Sequence, residues 1–414
     1  MNSLGDAAEY VKERVLREQL SLETYVTTDN LKQNKEGKES AISLPPSGNT
    51  VPAYSYGDIL IGNIRPYLKK IWCADTCGGH SADVLNLKAK KGFCSKFIYY
   101  NCFQDEFFDH MMKGSKGSKM PRGDKDQILT FPIPDYSYNY QNQIAKVLSD
   151  LDAKIEVNNK INAELEAMAK LIYDYWFVQF DFPNENGKPY KSSGGKMVYN
   201  EELKRKIPEG WEDGQLSDIA DITMGQSPSG SSYNEDGIGT VFYQGSTDFG
   251  LRFPTVRKYT TEPSRMAKEG DVLLSVRAPV GTMNQAMEDC CIGRGLAALR
   301  EKEGSISYLW SQMVYFKQIF ERKNASGTTF GAITKNELFG LKVCIPEKQA
   351  LENFKKIVDP LHSKIVVNSK ENQKLAALRD WLLPMLMNGQ VTVGEVEERL
   401  GLVAEQAANY KSES

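Results

Sequence analysis

The chain lacks most of what a membrane protein, a secreted protein or a self-sufficient enzyme would need. No run of about 18 apolar residues occurs, so no segment is long enough to span a bilayer as a helix. Met1 to Leu20 carry charge throughout and have no apolar centre of a secretory signal. Histidine is scarce, at three in 414 residues. The seven cysteines (Cys73, Cys77, Cys94, Cys102, Cys290, Cys291 and Cys344) are an odd number without paired spacing. That usage suits a reducing compartment, and these features together predict a cytoplasmic protein. Cys73, Cys77 and His80 are close in sequence, but with no fourth ligand evident they are expected to pack rather than bind metal. No Gly-x-x-x-x-Gly-Lys-Ser/Thr phosphate loop is present, so no nucleotide motor is built in. The only Pro-Pro, in Leu44-Pro45-Pro46-Ser47, lacks the Asn/Asp before it and the aromatic after it that a base-flipping adenine methyltransferase loop requires. Asp248-Phe249-Gly250 spells a kinase-like triplet, but no glycine loop or His-Arg-Asp accompanies it. Catalysis by this chain alone is not expected.

Its length predicts two or three domains. With 51 basic and 54 acidic side chains the net charge is −3, which excludes a chain coated in basic charge but not local basic sites. An internal repeat organises what remains. Leu151 to Ala167 aligns without gaps on Leu361 to Ala377, with nine identities in seventeen positions, among them Lys154/Lys364, Ile155/Ile365, Asn158/Asn368 and Asn162/Asn372. Weaker echoes lie upstream. Gly57-Asp58 answers Gly270-Asp271, Arg65 answers Arg277, Ile133-Pro134 answers Ile345-Pro346, and Leu4 to Ala8 answers Leu216 to Ala220. A variable block, residues 1–140, is thus followed by a helical block, 141–180. A Gly/Pro/Lys-rich connector, 181–208, leads to the second variable block, 209–348, and the second helical block, 349–390. A tail, 391–414, has the pattern of a short amphipathic helix through Val396, Leu400, Val403 and Ala407.

Each variable block reads as mixed α and β, with Gly-Asp turns before the apolar runs Ile59 to Ile61 and Val272 to Leu274. Each helical block carries a heptad seam. One runs through Ile144, Leu148, Leu151, Ile155, Asn158, Asn162, Leu165, Ala169 and Ile172. The other runs through Leu361, Ile365, Asn368, Asn372, Leu375, Arg379 and Leu382. Two similar seams in one chain most simply pack on each other. Seam asparagines Asn158, Asn162, Asn368 and Asn372 are expected to fix register at some cost in stability. A helix from Gln141 to Phe177 would be about 55 Å long, and Pro360 is expected to kink or begin the second helix. The predicted fold class is α+β: two domains in pseudo-twofold arrangement, separated by two long antiparallel coiled-coil helices. Such helices would hold two different reading heads on DNA about one helical turn, roughly 34 Å, or more apart.

The alternation resembles the specificity (S) subunit of type I restriction-modification systems, HsdS, over nearly the whole chain. The stretches that carry the resemblance are Ile207-Pro208-Glu209-Gly210-Trp211, Ser275-Val276-Arg277-Ala278-Pro279-Val280-Gly281, Cys291-Ile292-Gly293-Arg294-Gly295, Met120-Pro121-Arg122-Gly123-Asp124-Lys125, Tyr175-Trp176-Phe177 and Arg379-Asp380-Trp381-Leu382-Leu383-Pro384. The first block departs from the family, having no Pro-x-Gly-Trp opening. The resemblance implies two target-recognition domains that read the halves of a bipartite double-stranded DNA site, with helices that set the spacer. It also implies docking of methyltransferase subunits (HsdM, two copies), which use S-adenosylmethionine, and of restriction/motor subunits (HsdR), which use ATP and Mg. No cofactor is expected in this chain. The competing reading from another class is a non-catalytic, two-lobed protein-interaction scaffold.

Phosphate contacts need cations, and base reading needs Arg, Lys, Asn, Gln, Ser or Thr at a groove edge. Lys113, Ser115, Lys116, Ser118, Lys119, Arg122 and Lys125 fall in a thirteen-residue segment with five cations and one Asp. Its second-block counterpart contains Thr328 and Thr329, with Lys335 beyond. Gln226, Ser227, Tyr243, Gln244, Arg277 and Arg294 complete the expected DNA-contacting set in the second block, and Arg65 matches Arg277 in the first.

Overall fold

The computed structural model of the chain describes residues 1–117, 119–325 and 331–399. It divides into two compact units. One is Met1–Ile155 with the described part of Gln373–Ser414, the other Glu156–Asn372. Each unit contains a recognition block and a portion of both long helices.

The recognition blocks share one strand plan. In the first unit a four-stranded antiparallel sheet runs in the order Ala8–Tyr10, Val84–Ala89, Ile59–Gly62, Ile71–Cys73. In the second unit the order is Ala220–Met224, Leu296–Glu301, Val272–Ser275, Met283–Gln285. The strands Ile59–Gly62 and Val272–Ser275 are buried at every residue, which explains their unbroken apolar runs. Before each, a glycine with φ of 85° or 89° makes the turn, where a Cβ would cost about 1–2 kcal/mol. The following aspartate closes it: Asp58 accepts from the Ser55 amide at 2.9 Å and Asp271 from the Lys268 amide at 2.8 Å. A parallel pairing recurs as well. Tyr25–Val26 lies parallel to Gly78–His80, and Phe242–Tyr243 parallel to Cys291–Ile292, each with an antiparallel neighbour on the far side. The duplication is therefore one of topology as well as sequence.

The first long helix spans Tyr138–Tyr173 and ends in a π-helical turn, Asp174–Val178. The second spans Lys348–Met387. Pro360 does not begin it, contrary to one of the two expectations from sequence. Proline in a helix interior costs about 3 kcal/mol, but Phe354 and Val358 before it and Ile365 after it are all buried, and their packing carries the helix through. In the first unit Ile144, Leu148 and Leu151 pack with Leu382, Leu383 and Leu386. In the second unit the seam asparagines meet. Asn158 donates to Asn372 at 2.9 Å, Asn368 to Asn162 at 2.9 Å, and Asn372 to Asn159 at 2.8 Å. Rising numbers on one helix meet falling numbers on the other, as they do in the first unit, where Tyr136 meets Met387 and Asp152 meets Arg379, so the pairing within each unit is antiparallel. Val393 and Val396 of the tail join the first unit's core; Leu400, Val403 and Ala407 lie outside the described residues.

The second unit also buries Arg252. Its guanidinium stacks on the Trp310 ring at 3.6 Å and lies 2.7 Å from Nε2 and 2.9 Å from Nδ1 of His362, with Glu166 Oε1 3.7 Å from Nη1. Burial, then the neighbouring guanidinium, pushes the His362 ring down to about 3. In the unfolded chain the ring takes up a proton near its ordinary value of about 6.5, whereas the folded state resists it. His362 therefore contributes stability above about 6.5 that is lost as pH falls toward 3, at about 1.4 kcal/mol per pH unit. Thermal melts at pH 7 and pH 5 are expected to show a drop in the second unit that His362→Gln removes. An equal drop in the variant would show that another group is responsible.

Candidate nucleic-acid interface

In the second unit four separate segments converge on a cleft of about 310 Å³. Leaving its buried strand, the chain presents Arg277, and this turn is stitched down by the Ile333 amide donating to Val276 O at 2.8 Å. The loop through Arg294 presses against the chain at Gln244. Gly293 N donates to Tyr243 O at 2.8 Å and Gly295 N to Gln244 O at 3.2 Å. A Cβ on Gly293 would sit 2.9 Å from the Gln244 Cα and one on Gly295 2.8 Å from the Gln244 O, so only glycine lets the two loops approach this closely. Arg277, Arg294 and Gln244 thereby line one concavity, together with Arg257 and Lys258. Four cations face one carboxylate, that of Asp248, which pairs with Arg257 at 2.9 Å. Among the described residues neither Arg277 nor Arg294 has a carboxylate partner, so both guanidinium forks are available to an acceptor. Ser227 borders the site, its hydroxyl accepting from the Arg294 amide at 3.3 Å. Gln226 is exposed beside it, with its amide held by Ile292 O at 3.0 Å.

Tyr243 is a correction. It is 2% exposed and packs among Val241, Leu273 and Ile292, and burial raises its phenol pKa. Both faces of its strand are covered, so the side chain belongs to the core and cannot read a base. Lys335 starts the short helix Lys335–Phe339 and lies over the Phe339 ring at 5.2 Å rather than lining the cleft. Thr328, Thr329 and Ser118 lie outside the described residues. Arg257 and Lys258 were missed by sequence reasoning, because only the strand pairing of Tyr259–Thr260 with Val241 and Thr240 brings them to the cleft.

The first unit builds a more basic edge at the equivalent place. Ile64 pairs with Arg122 as Arg277 pairs with Ala332. Arg65 adopts a left-handed conformation, φ 54°, and its amide donates to Pro121 O at 2.8 Å. Exposed around this stitch are Arg65, Lys113, Lys116, Lys119, Arg122 and Lys125. Lys116 pairs with Asp124 and Arg122 with Asp83, both at 2.9 Å. Lys125 lies over the Tyr10 ring at 5.6 Å. Lys116 is 84% exposed, so its pair contributes little to stability and is easily exchanged for a phosphate. The Ser115 hydroxyl donates to Met112 O at 2.8 Å, closing the preceding helix.

Among the described residues no group of three or more His, Cys, Asp or Glu is placed to hold a metal ion, Cys73, Cys77 and His80 included. Burial pushes the Cys73 thiol up to about 11 and the His80 ring down. No helix of the described residues is long and apolar enough to cross a membrane.

The family model "Type I restriction modification DNA specificity domain" matches twice, at residues 18–167 and 208–377. A putative type I restriction enzyme MjaX specificity subunit from Methanocaldococcus jannaschii is 32% identical over 325 residues, covering 76% of this chain and 72% of that protein. The type I restriction enzyme HindI specificity subunit of Haemophilus influenzae is 24% identical, covering 94% of this chain and 98% of that one. The crystal structure of a type I restriction-modification S subunit from M. genitalium shares the fold, with a TM-score of 0.53 at 15% identity, covering 93% of this chain and 95% of that one.

Proposed function

The chain belongs to the type I restriction-modification DNA specificity family, and from that premise we propose that each recognition block reads one half of a split double-stranded DNA site. One observation carries this reading. The same strand plan is built twice, each copy ends its buried strand in a stitched turn bearing an arginine, and the side chains around those turns differ. Two copies of one frame with different lining residues are what two different half-sites require. Arg277 and Arg294 offer bidentate donors suited to guanine, and Gln244 a donor–acceptor pair suited to adenine. The basic edge of the first unit supplies phosphate contacts that position without reading.

The chain itself performs no reaction. Methyltransferase subunits (HsdM) bring S-adenosylmethionine, and motor-nuclease subunits (HsdR) bring ATP and Mg. An exposed stripe on the first long helix and its π-helical end, Val157, Ile161, Met168, Leu171 and Tyr175, is spaced by whole turns and suits docking of a methyltransferase subunit. The test is a footprint of the chain assembled with its methyltransferase subunits. Two protected blocks of defined sequence, separated by a gap of indifferent sequence, are expected. A complex that protects no sequence would favour a protein scaffold instead.

Lys116→Ala with Lys119→Ala probes the basic edge. Removing two phosphate contacts is expected to lower the slope of log affinity against log salt by about 2 while leaving the preferred sequence unchanged. Salt titration of the assembled complex measures it, and an unchanged slope would place the segment outside the interface.

A further inference from the structure

Arg252 is 3% exposed, and its place in the chain gives it a task beyond packing. The segment from Ser246 to Lys258 leaves the cleft, turns and returns to it. At its base Asp248 pairs with Arg257, and the Thr255 amide donates to Asp248 O at 2.8 Å. At its tip Gly250 exchanges two hydrogen bonds with the Asn284 side chain, at 3.0 and 2.8 Å. Arg252 projects from this tip into a socket made by other elements. Gln285 Oε1 accepts from its Nε at 3.2 Å, Trp310 lies under the guanidinium, His362 comes from the second long helix, and Glu166 comes from the first.

The socket is a poor place for a cation if stability were its only purpose. Nη1 has no hydrogen-bond partner among the described residues, and the nearest carboxylate oxygen, on Glu166, stands 3.7 Å away. A well-packed apolar side chain would avoid that desolvation cost. The first unit places an arginine against the equivalent helical position. Asp152, which precedes His362 by one repeat, binds Arg379 at 2.6 Å. Arg379 in turn covers the Phe103 ring of its own recognition block at 4.7 Å, and Asp152 also accepts from the Tyr100 hydroxyl at 2.6 Å. Both units thus join recognition block to helices through an arginine that lies over an aromatic ring and meets the repeat-equivalent helical residue, Asp152 or His362; the arginine comes from the second long helix in the first unit and from the recognition block in the second. In the second unit the arginine sits on the loop that lines the cleft.

We propose that Arg252 is a positioning residue: it locks the Ser246–Lys258 segment onto the paired helices and so fixes Asp248, Arg257 and Lys258 at the DNA cleft. This rests on the reading of that cleft as the site for a DNA half-site. Arg252 touches no DNA; it sets the geometry of groups that do.

Arg252→Met keeps the stem and removes the guanidinium, and Arg252→Lys keeps only the charge. In the full chain assembled with methyltransferase subunits, wild type is expected to reject a single wrong base pair in either half-site. Arg252→Met is expected to relax rejection by about tenfold or more in one half-site only, leaving the other untouched, and Arg252→Lys to fall between. A general loss of stability would instead weaken both halves together. Relaxation of neither half, or of both equally, overturns the clasp. Hydrogen exchange of the full chain separates failure of this inference from failure of the DNA reading. With or without a methylated site, Arg252→Met is expected to speed amide exchange across Thr247–Arg257 by about tenfold while Val272–Ser275 stays protected, and unchanged exchange overturns the proposal. If Arg252→Met does not fold, His362→Asp gives the arginine the partner that Arg379 has. It is expected to slow exchange in the same segment, and unaltered exchange there counts against the clasp.

Discussion

Replacing Arg277 and Arg294 together by alanine is expected to lower the affinity of the assembled complex for its split site by about a hundredfold or more. Each guanidinium fork paired with a base edge is worth about 1–3 kcal/mol of discrimination, and each 1.4 kcal/mol or so is a factor of ten. Both arginines are exposed at the cleft and hold no buried partner, so the loss falls on binding rather than folding. Two controls locate the effect. Lys335→Ala, outside the cleft, is expected to change affinity by less than about threefold. Tyr243→Phe is expected to leave the recognised sequence unchanged because its side chain lies in the core. Titrations at a fixed salt concentration make the comparison valid. A double variant that binds the same site as tightly as wild type would remove the cleft from the interface.

The largest expected loss of stability comes from Phe354→Ala. This side chain is fully buried, with ring contacts to Tyr173, Trp176, Phe177 and Tyr308 at centroid separations of 4.9 to 6.2 Å. The cluster joins the end of the first long helix with Phe180 just beyond it, the start of the second, Phe182 of the connector, and Trp211. Removing a buried phenylalanine costs about 3–5 kcal/mol, which for a unit of roughly 200 residues is about 10 °C in melting temperature. The rings around it are large and held on several elements, so they cannot collapse into the space. Calorimetry checks this; a shift under about 3 °C would mean that the cluster relaxes around the gap. Phe354→Leu, which fills most of the volume, is expected to lose less than half as much.

What the sequence made legible was whatever repeats or has a local cause. Gly57-Asp58 and Gly270-Asp271 mark turns because a left-handed glycine and a capping carboxylate are local requirements. Ile144, Leu148 and Leu151 announce a buried helical face through spacing alone, and Asn158, Asn162, Asn368 and Asn372 do meet across it. Residue type misled where tertiary pairing decides exposure. Tyr243 has the chemistry to reach a base, yet the parallel partner Ile292 and the core beneath it enclose its strand. Pro360 reads as a break, yet the buried neighbours on both sides outweigh its cost. Arg252 looks like any loop cation; nothing near it in sequence indicates a socket made by residues 33 to 110 positions away. The cleft was half legible. Arg277 and Arg294 stand in family-like stretches and Gln244 was legible by residue type, whereas Arg257 and Lys258 arrive only through the strand pairing.

One chain carrying two different recognition blocks should read two unlike halves of one DNA site. The decisive measurement maps methylated bases across a genome in which the chain is coexpressed with methyltransferase subunits. One dominant motif of two unlike half-sites is expected, a few base pairs each, separated by a fixed unread gap, with Arg277→Ala/Arg294→Ala abolishing the modification. Modification at a single unsplit motif, at a symmetric repeat of one half-site, or at no defined sequence would contradict that expectation.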